Sequence, residues 1–177
     1  MPPRHPFPAL GPTIWLISDA RNDAVLESAL KLLPRGSGFV FRHYHLSPAE
    51  RQARFRKLAR IARGRGHWVV LAGMVAQARR WGADGAYGAQ LQRGPACLRL
   101  ATVHSLRELA KLKRADAVLL SPVFPTRSHP GAQALGPLRF RLIAARAKLP
   151  VIALGGMDHR RAARLNWPRW AAIDAFL

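Results

Sequence analysis

Ser121 to Gly136, SPVFPTRSHPGAQALG, is the stretch on which the fold assignment turns. The apolar run Ala117-Val118-Leu119-Leu120 leads into it, and a helix-compatible segment, residues 137–148, follows it. Three prolines and two glycines lie within it. Proline fixes φ and glycine admits dihedrals closed to other residues, so the stretch can hold one shape without regular structure. Thr126, Arg127, Ser128 and His129 supply hydrogen-bond donors suited to an anion such as phosphate. By itself the stretch is equally a solvated, proline-stiffened connection from a strand to a helix.

Strand-like and helix-like segments alternate on both sides of this loop, the pattern of a parallel α/β sheet. Residues 14–18, 38–43, 68–72, 85–87 and 98–102 read as strands one to five, and residues 117–121, 151–154 and 171–175 as strands six to eight. Helical segments are expected over residues 24–32, 74–81, 137–148 and 158–165. Ser47-Pro48 with Glu50 is a capping box that opens the helix after strand two, and Ser105 with Glu108 is a second one after strand five. Phe55, Leu58, Ala59 and Ala62 form the apolar stripe of the helix after strand two. Arg51, Arg54, Arg56 and Lys57 fall mainly off that stripe and read as a solvated face.

Several of these segments carry a family resemblance. The loop at 121–136 resembles the GPVFPTxTKPGxxxLG signature of the thiamine phosphate synthase/TenI family. IWLISD (14–19), GADGAY (82–87), TVHS (102–105), VIALGGM (151–157) and AAIDAF (171–176) are similar to that family's first strand, GADGVH, STHS, VxAIGGI and last strand. The resemblance implies a (β/α)8 TIM barrel. It also implies a reaction, the joining of a hydroxymethylpyrimidine pyrophosphate to a thiazole phosphate with release of pyrophosphate and participation of magnesium. TenI-like relatives do other work on the same scaffold, including thiazole isomerisation, so fold and activity are separate inferences.

A chain of 177 residues is short for such a barrel, which usually takes about 200 or more. The segment Gln90 to Pro95 leaves little room for a helix after strand four, and the sequence ends shortly after strand eight. The barrel is therefore expected to be shortened, with helix four and helix eight reduced or absent. Residues 1–13 read as a Pro-rich lead-in and residues 14–177 as a single barrel domain. If helix eight is missing, an apolar flank is left for the lead-in or a second subunit to cover, and a homodimer is one expected solution.

The single cysteine, Cys97, rules out an intramolecular disulfide and reads as a packed small residue. No apolar h-region begins the chain, and no run approaches the roughly 20 apolar residues of a membrane span. A cytoplasmic protein is the expectation. Basic residues outnumber acidic ones 29 to 9, for a formal net charge of +20. The arginines are spread over every segment, which fits a solvated basic surface better than a specific nucleic-acid site. The five tryptophans sit at strand or helix positions and read as packing.

In such a barrel the site lies at the carboxyl ends of the strands. The resemblance assigns Thr102, Gly155, Gly156 and Ile173 to the thiazole-phosphate side, and Thr126, Arg127, Ser128 and His129 to the strand-six loop. Gly155 and Gly156 either let backbone N–H groups approach an anion or serve the turn sterically. On the pyrophosphate side, the family's Q-L-R-x-K pattern is reduced to Arg42. Its Asn-Asp pair is replaced by Ala72 and Gly73, and its second magnesium aspartate is replaced by Gln92 or lost with the shortened segment, so neither expected metal carboxylate is present. His129 replaces a lysine and carries no fixed charge at neutral pH. His104 ends strand five, as a structural histidine or a ligand contact. Asp19 reads as a cap with a site carboxylate as the alternative, and Asp174, where the family has a hydroxyl donor, as an arginine partner. The function expected is a thiamine phosphate synthase-like protein with its metal side eroded. A TenI-like isomerase or a non-catalytic phosphate-ligand binder is the alternative, and a basic nucleic-acid-binding domain the third reading.

Overall fold

The computed structural model describes residues 11–88, 97–127, 131 and 133–176. Eight parallel strands close into a barrel in sequence order: β1 (Ile14–Ile17), β2 (Gly38–Phe41), β3 (Trp68–Ala72), β4 (Gly85–Gly88), β5 (Leu98–Val103), β6 (Ala117–Leu120), β7 (Val151–Ala153) and β8 (Trp170–Ala172). The seam is the parallel pair of β1 and β8, with Trp15 opposite Ala171. The described helices are a 3₁₀ turn over Ala20–Val25, α1 (Leu26–Leu32), α2 (Pro48–Gly64), α3 (Val75–Arg80), α4 (Leu106–Lys111), α5 (Gly136–Ala144) and α6 (His159–Leu165).

The two-residue period of the strands divides the apolar residues between two cores. Trp15, Ile17, Val40, Trp68, Val70, Leu100, Leu119 and Ile152 fill the lumen. Their neighbours in sequence pack outward, Leu16, Phe39, Phe41 and Leu71 with α1 and α2 on one side, and Val118, Leu120 and Ala153 with Phe140 of α5 on the other. Trp15 is fully buried and stands opposite Gly38 in the β1–β2 register. A Cβ on Gly38 would lie 2.1 Å from the Trp15 ring, so the largest lumen side chain is accommodated by a residue with none. Trp68 shares the lumen and Trp167 and Trp170 join the outer core, as packing residues. Cys97 is fully buried, and burial raises its thiol pKa.

Some boundaries differ from the sequence reading. Residues 20–25, where the first helix was expected to begin, are 3₁₀, opened by an Asp19–Asn22 capping box. The helix after strand six stops at Ala144, and β8 begins one residue early and ends at Ala172. The deleted fourth helix falls on residues 89–96, outside the described residues. Among the described residues no helix follows β8; Phe176 instead stacks on Trp170, with centroids 5.5 Å apart.

The capping box at Ser47 and Glu50 is present, and Phe55, Leu58, Ala59 and Ala62 are the buried stripe of α2. The charged residues beside that stripe are not all a solvated face. Arg51 is only 9% exposed, and its Nε and Nη2 donate to the carbonyls of Arg42 (2.8 Å) and Ala72 (2.7 Å). Arg54 reaches back to Asp23 and Glu27. Long side chains on the margin of a stripe can turn inward when strand-end carbonyls need donors.

Replacing Gly38 by alanine is expected to cost about 1–3 kcal/mol of stability, because a buried indole has to leave its rotamer to admit one methyl group. Urea denaturation of the two proteins measures this, and an unchanged midpoint would show that Trp15 yields freely.

Candidate active site

At the carboxyl end of the barrel the strand ends and their loops enclose a cavity of about 980 Å³. Arg42, Thr102, His104, Thr126, Arg127, Gly155, Gly156 and Ile173 all line it, contributed by β2, β5, β6, β7 and β8 or the residues that follow them. Ser128, His129 and Gln92 lie outside the described residues. Tyr44, Tyr87, Ser121, Asp158, Arg161 and Asp174 line the same cavity and were not singled out as ligand contacts from sequence. Tyr44 lies three residues beyond the end of β2, and Arg161 lies within α6, eight residues beyond β7, and neither residue type announces a ligand contact by itself.

The strand-six loop is held by backbone pairing to strand seven. Val123 N donates to Leu154 O (2.8 Å) and Phe124 N to Gly155 O (3.0 Å). Gly155 and Gly156 adopt φ of +95° and +60°, where side-chain-bearing residues are strained. A Cβ on Gly155 would lie 2.6 Å from Pro122 Cα, and one on Gly156 would lie 2.4 Å from Pro125 O. The glycine pair therefore has a steric role against the loop. Among the described residues, neither Gly155 N nor Gly156 N donates to a protein acceptor. The start of α6 is capped by the Asp158 carboxylate, which accepts from Arg161 N at 2.8 Å. That negative charge offsets the helix dipole expected to favour an anion here.

His104 stands one residue before the cap of α4. Its Nδ1 lies 2.9 Å from Ser121 O, a group that can only accept, so the ring proton sits on Nδ1. Nε2 is then an acceptor in the neutral ring and a donor only when the ring is charged. Glu108 accepts from His104 N at 2.9 Å, so its carboxylate reaches one residue behind the Ser105 cap instead of closing the expected capping box. The effect is to hold the backbone of His104 at the mouth.

The carboxylates at the mouth are committed. Arg21 bridges two of them, with Nε 2.9 Å from Asp19 and Nη1 3.4 Å from Asp174. Asp19 also caps the 3₁₀ turn. Burial raises its pKa, but hydrogen bonds and charge from Arg21 outweigh it and hold the carboxyl below its ordinary value. At the end of β3, Ala72 O is taken by Arg51, and Gly73 carries no side chain. The Arg51 guanidinium lies over the rings of Phe41, Tyr44 and Trp81 at 5.3–5.7 Å, and Arg42 lies over Tyr44 at 5.8 Å. The β2–β3 corner is thus cationic and aromatic.

The family model for thiamine monophosphate synthase matches residues 14–168, most of the chain. The chain belongs to the thiamine monophosphate synthase family. A putative thiamine-phosphate synthase 2 from Aquifex aeolicus is 40% identical over 58 residues. That match spans 32% of this chain and only 31% of the relative's length. Among solved structures, a thiamine phosphate pyrophosphorylase from Pyrococcus furiosus superposes with a TM-score of 0.77 at 24% identity, covering 92% of this chain and 86% of the other. The citrate synthase SbnG superposes with a TM-score of 0.63 at 9% identity, covering 93% and 86%. Both likenesses are of fold. No described helix of this thiamine monophosphate synthase family member is long and apolar enough to cross a membrane.

Behind the mouth of this family barrel lie two buried histidines. His43 is 1% exposed, with Nδ1 2.8 Å from Ser18 Oγ and Nε2 2.7 Å from Asp23 Oδ1. His67 is also 1% exposed and bonds through Nε2 to Leu30 O at 2.9 Å. Burial lowers the pKa of each ring, more than the Asp23 carboxylate or the Leu30 carbonyl raises it. Both rings are therefore neutral in the fold and take up protons more readily when unfolded. Stability should be full above the ordinary histidine range and fall as pH drops below about 6.5. Urea midpoints at about pH 7.5 and about pH 5.5 test this, and His67→Gln should shrink the difference. A midpoint that rises on acidification would contradict the buried neutral rings.

Proposed function

We propose that this protein binds a thiazole phosphate at the barrel mouth and joins it to a hydroxymethylpyrimidine pyrophosphate, as a thiamine phosphate synthase that works without carboxylate-held magnesium. The observation carrying this reading is the convergence of Arg42, Thr102, Thr126, Arg127 and the Gly155-Gly156 turn on one cavity. Hydroxyls and uncommitted backbone N–H groups suit a phosphate monoester, and the guanidinium groups of Arg42 and Arg127 suit a second, more highly charged one.

The donors do not fit a magnesium site of the family type. Magnesium takes oxygen ligands, usually one or two carboxylates besides phosphate oxygens. At the end of β3 the carbonyl of Ala72 already accepts from a guanidinium, and Asp19, Asp158 and Asp174 are engaged as caps or with Arg21. Among the described residues no three His, Cys, Asp or Glu side chains gather at metal-binding distance. The reaction is therefore derived from the chain's own groups. The bond from the pyrimidine methylene carbon to the pyrophosphate oxygen breaks, and pyrophosphate departs with the electron pair. The thiazole nitrogen lone pair then forms the new bond to that carbon. Arg42 and Arg127 stabilise the charge that develops on the departing oxygens. His104, with its proton committed to Ser121 O, offers Nε2 as an acceptor.

A second reading is a TenI-like isomerase or a phosphate-ligand binder without synthase turnover. The Arg51 contact with Ala72 O favours it, because a single positive charge does less for a departing pyrophosphate than a divalent ion. On either reading the ligand is a small phosphate ester met in the cytoplasm, with no specific nucleic-acid target. A second copy of the chain is the protein partner that the exposed Leu138 and Leu142 of α5 would suit.

Thiazole phosphate should bind saturably, and thiamine phosphate formation should be slow and insensitive to chelator. Relative to an enzyme with both metal carboxylates, a deficit of several kcal/mol in leaving-group stabilisation is expected, on the order of hundreds-fold or more in rate. Calorimetry and a turnover assay with and without chelator separate the readings. Binding without any turnover supports the second, and robust turnover abolished by chelation refutes the metal-free mechanism.

A further inference from the structure

We propose that His43 is a positioning residue for Arg42: with buried Ser18 and half-exposed Asp23 it forms a clamp that fixes the backbone from which Arg42 reaches the anion-binding mouth. The inference rests on the reading of that mouth as an anion site.

The peptide at residue 42 is held on both sides. Its N–H donates to Ser18 Oγ at 2.8 Å, and its carbonyl accepts from Arg51 Nε at 2.8 Å. Ser18 is fully buried at the end of β1, and Arg51 is nearly so on α2. Two buried side chains, Ser18 and Arg51, thus hold the peptides on either side of a residue whose side chain lines the cavity. Residue 43 itself has φ of +39°, in the left-handed region that a β-carbon disfavours. That strain is tolerated only where the surroundings determine the conformation.

The proton order along the clamp follows from the groups. The Asp23 carboxylate only accepts, so Nε2 of a neutral His43 carries the hydrogen. Nδ1 then accepts from the Ser18 hydroxyl, which leaves a Ser18 lone pair for Arg42 N–H. Each bond orients the next. Protonation at Nδ1 would turn the Ser18 hydroxyl hydrogen away with no partner. The groups facing the ring are Asp23 from the 3₁₀ turn, Phe41 stacked at 4.7 Å, and His45 at 5.1 Å. Arg54 of α2 backs Asp23 at 2.8 Å. Desolvation and the neighbouring cations keep the ring neutral.

A serine, histidine and carboxylate in this sequence also describe an activated nucleophile. That role does not fit, because Ser18 is fully buried and its oxygen already receives Arg42 N–H. The hydroxyl has no route to a substrate, whereas Arg42 does.

The test is a double-mutant cycle on the full chain, read as calorimetric affinity for inorganic pyrophosphate near neutral pH. His43→Asn is the variant of choice, since asparagine tolerates the left-handed backbone of residue 43. It should weaken binding about tenfold in the wild-type background and change nothing further in an Arg42→Ala background. Affinity of the wild type should also fall more steeply below neutrality than that of His43→Asn. Ser18→Ala cuts the same chain at its other link and should reproduce the loss, which keeps the test intact if His43→Asn does not fold. Losses that multiply in the double variant, or wild-type affinity retained by both His43→Asn and Ser18→Ala while Arg42→Ala loses it, overturn the clamp and leave the anion site standing. A wild type that fails to bind pyrophosphate overturns both.

Discussion

A barrel closed by strands of three to six residues leaves many peptide groups just beyond the ladder, and each must find a partner away from water. Side chains supply those partners at both ends of this molecule. At the mouth, buried Asn22 donates to Ile17 O (3.0 Å) and Ile173 O (2.8 Å), across the seam where β1 meets β8. Arg51 does the same for β2 and β3, and Ser18 joins β1 to β2. At the opposite end, Asp84 accepts from Val69 N (2.8 Å) and Asp116 from Arg99 N (2.7 Å). An unmade bond at any of these positions would cost more than a typical made one contributes, so the polar side chains are as fixed by the fold as the lumen tryptophans.

This demand gives the charge imbalance a structural meaning. The nine acidic residues all have internal work. Asp19, Glu50, Glu108 and Asp158 cap helical turns, Asp84 and Asp116 accept from strands, and Asp23, Glu27 and Asp174 pair with basic side chains. Even with every acid paired or capping, nine acidic residues leave a net charge of +20. A surface of this kind attracts polyanions in a salt-dependent way whatever the protein's ligand, because the attraction needs no built site. The excess is thus what remains once the acids that the fold requires are in place.

Much of the architecture was legible because it depends on local rules. Short apolar runs alternating with helix-like segments mark the strands, the Ser47-Glu50 pair marks the start of α2, and the proline-glycine loop at 121–136 marks a shaped connection after β6. The cavity residues Arg42, Thr102, His104 and Gly155 could be placed because each lies at or just past the carboxyl end of a strand, and barrel geometry gathers strand ends. What stayed hidden depends on reach. Arg51 and Arg54 occupy polar positions by helical periodicity, and periodicity says nothing of a long side chain folding back over the strand ends. The steric role of Gly155 and Gly156 needs the proline loop in three dimensions. His43 is two residues past β2, next to nothing in sequence that announces Ser18 or Asp23 as its partners.

The corner at the end of β3 shows how such distant choices become interdependent. A carboxylate at residue 73 would stand beside a guanidinium that donates to the neighbouring carbonyl of Ala72. Opposite charges at that distance favour pairing, so the acid would be held by Arg51 and lost as a ligand for a metal. The arginine in turn cannot withdraw, because Arg42 O and Ala72 O would lose their donor inside the protein. Arg51 therefore couples the polar satisfaction of two strand ends to the charge available at the mouth. Once this residue is committed to the backbone, the positive sign of the β2–β3 corner follows from the same contacts that satisfy the strand ends.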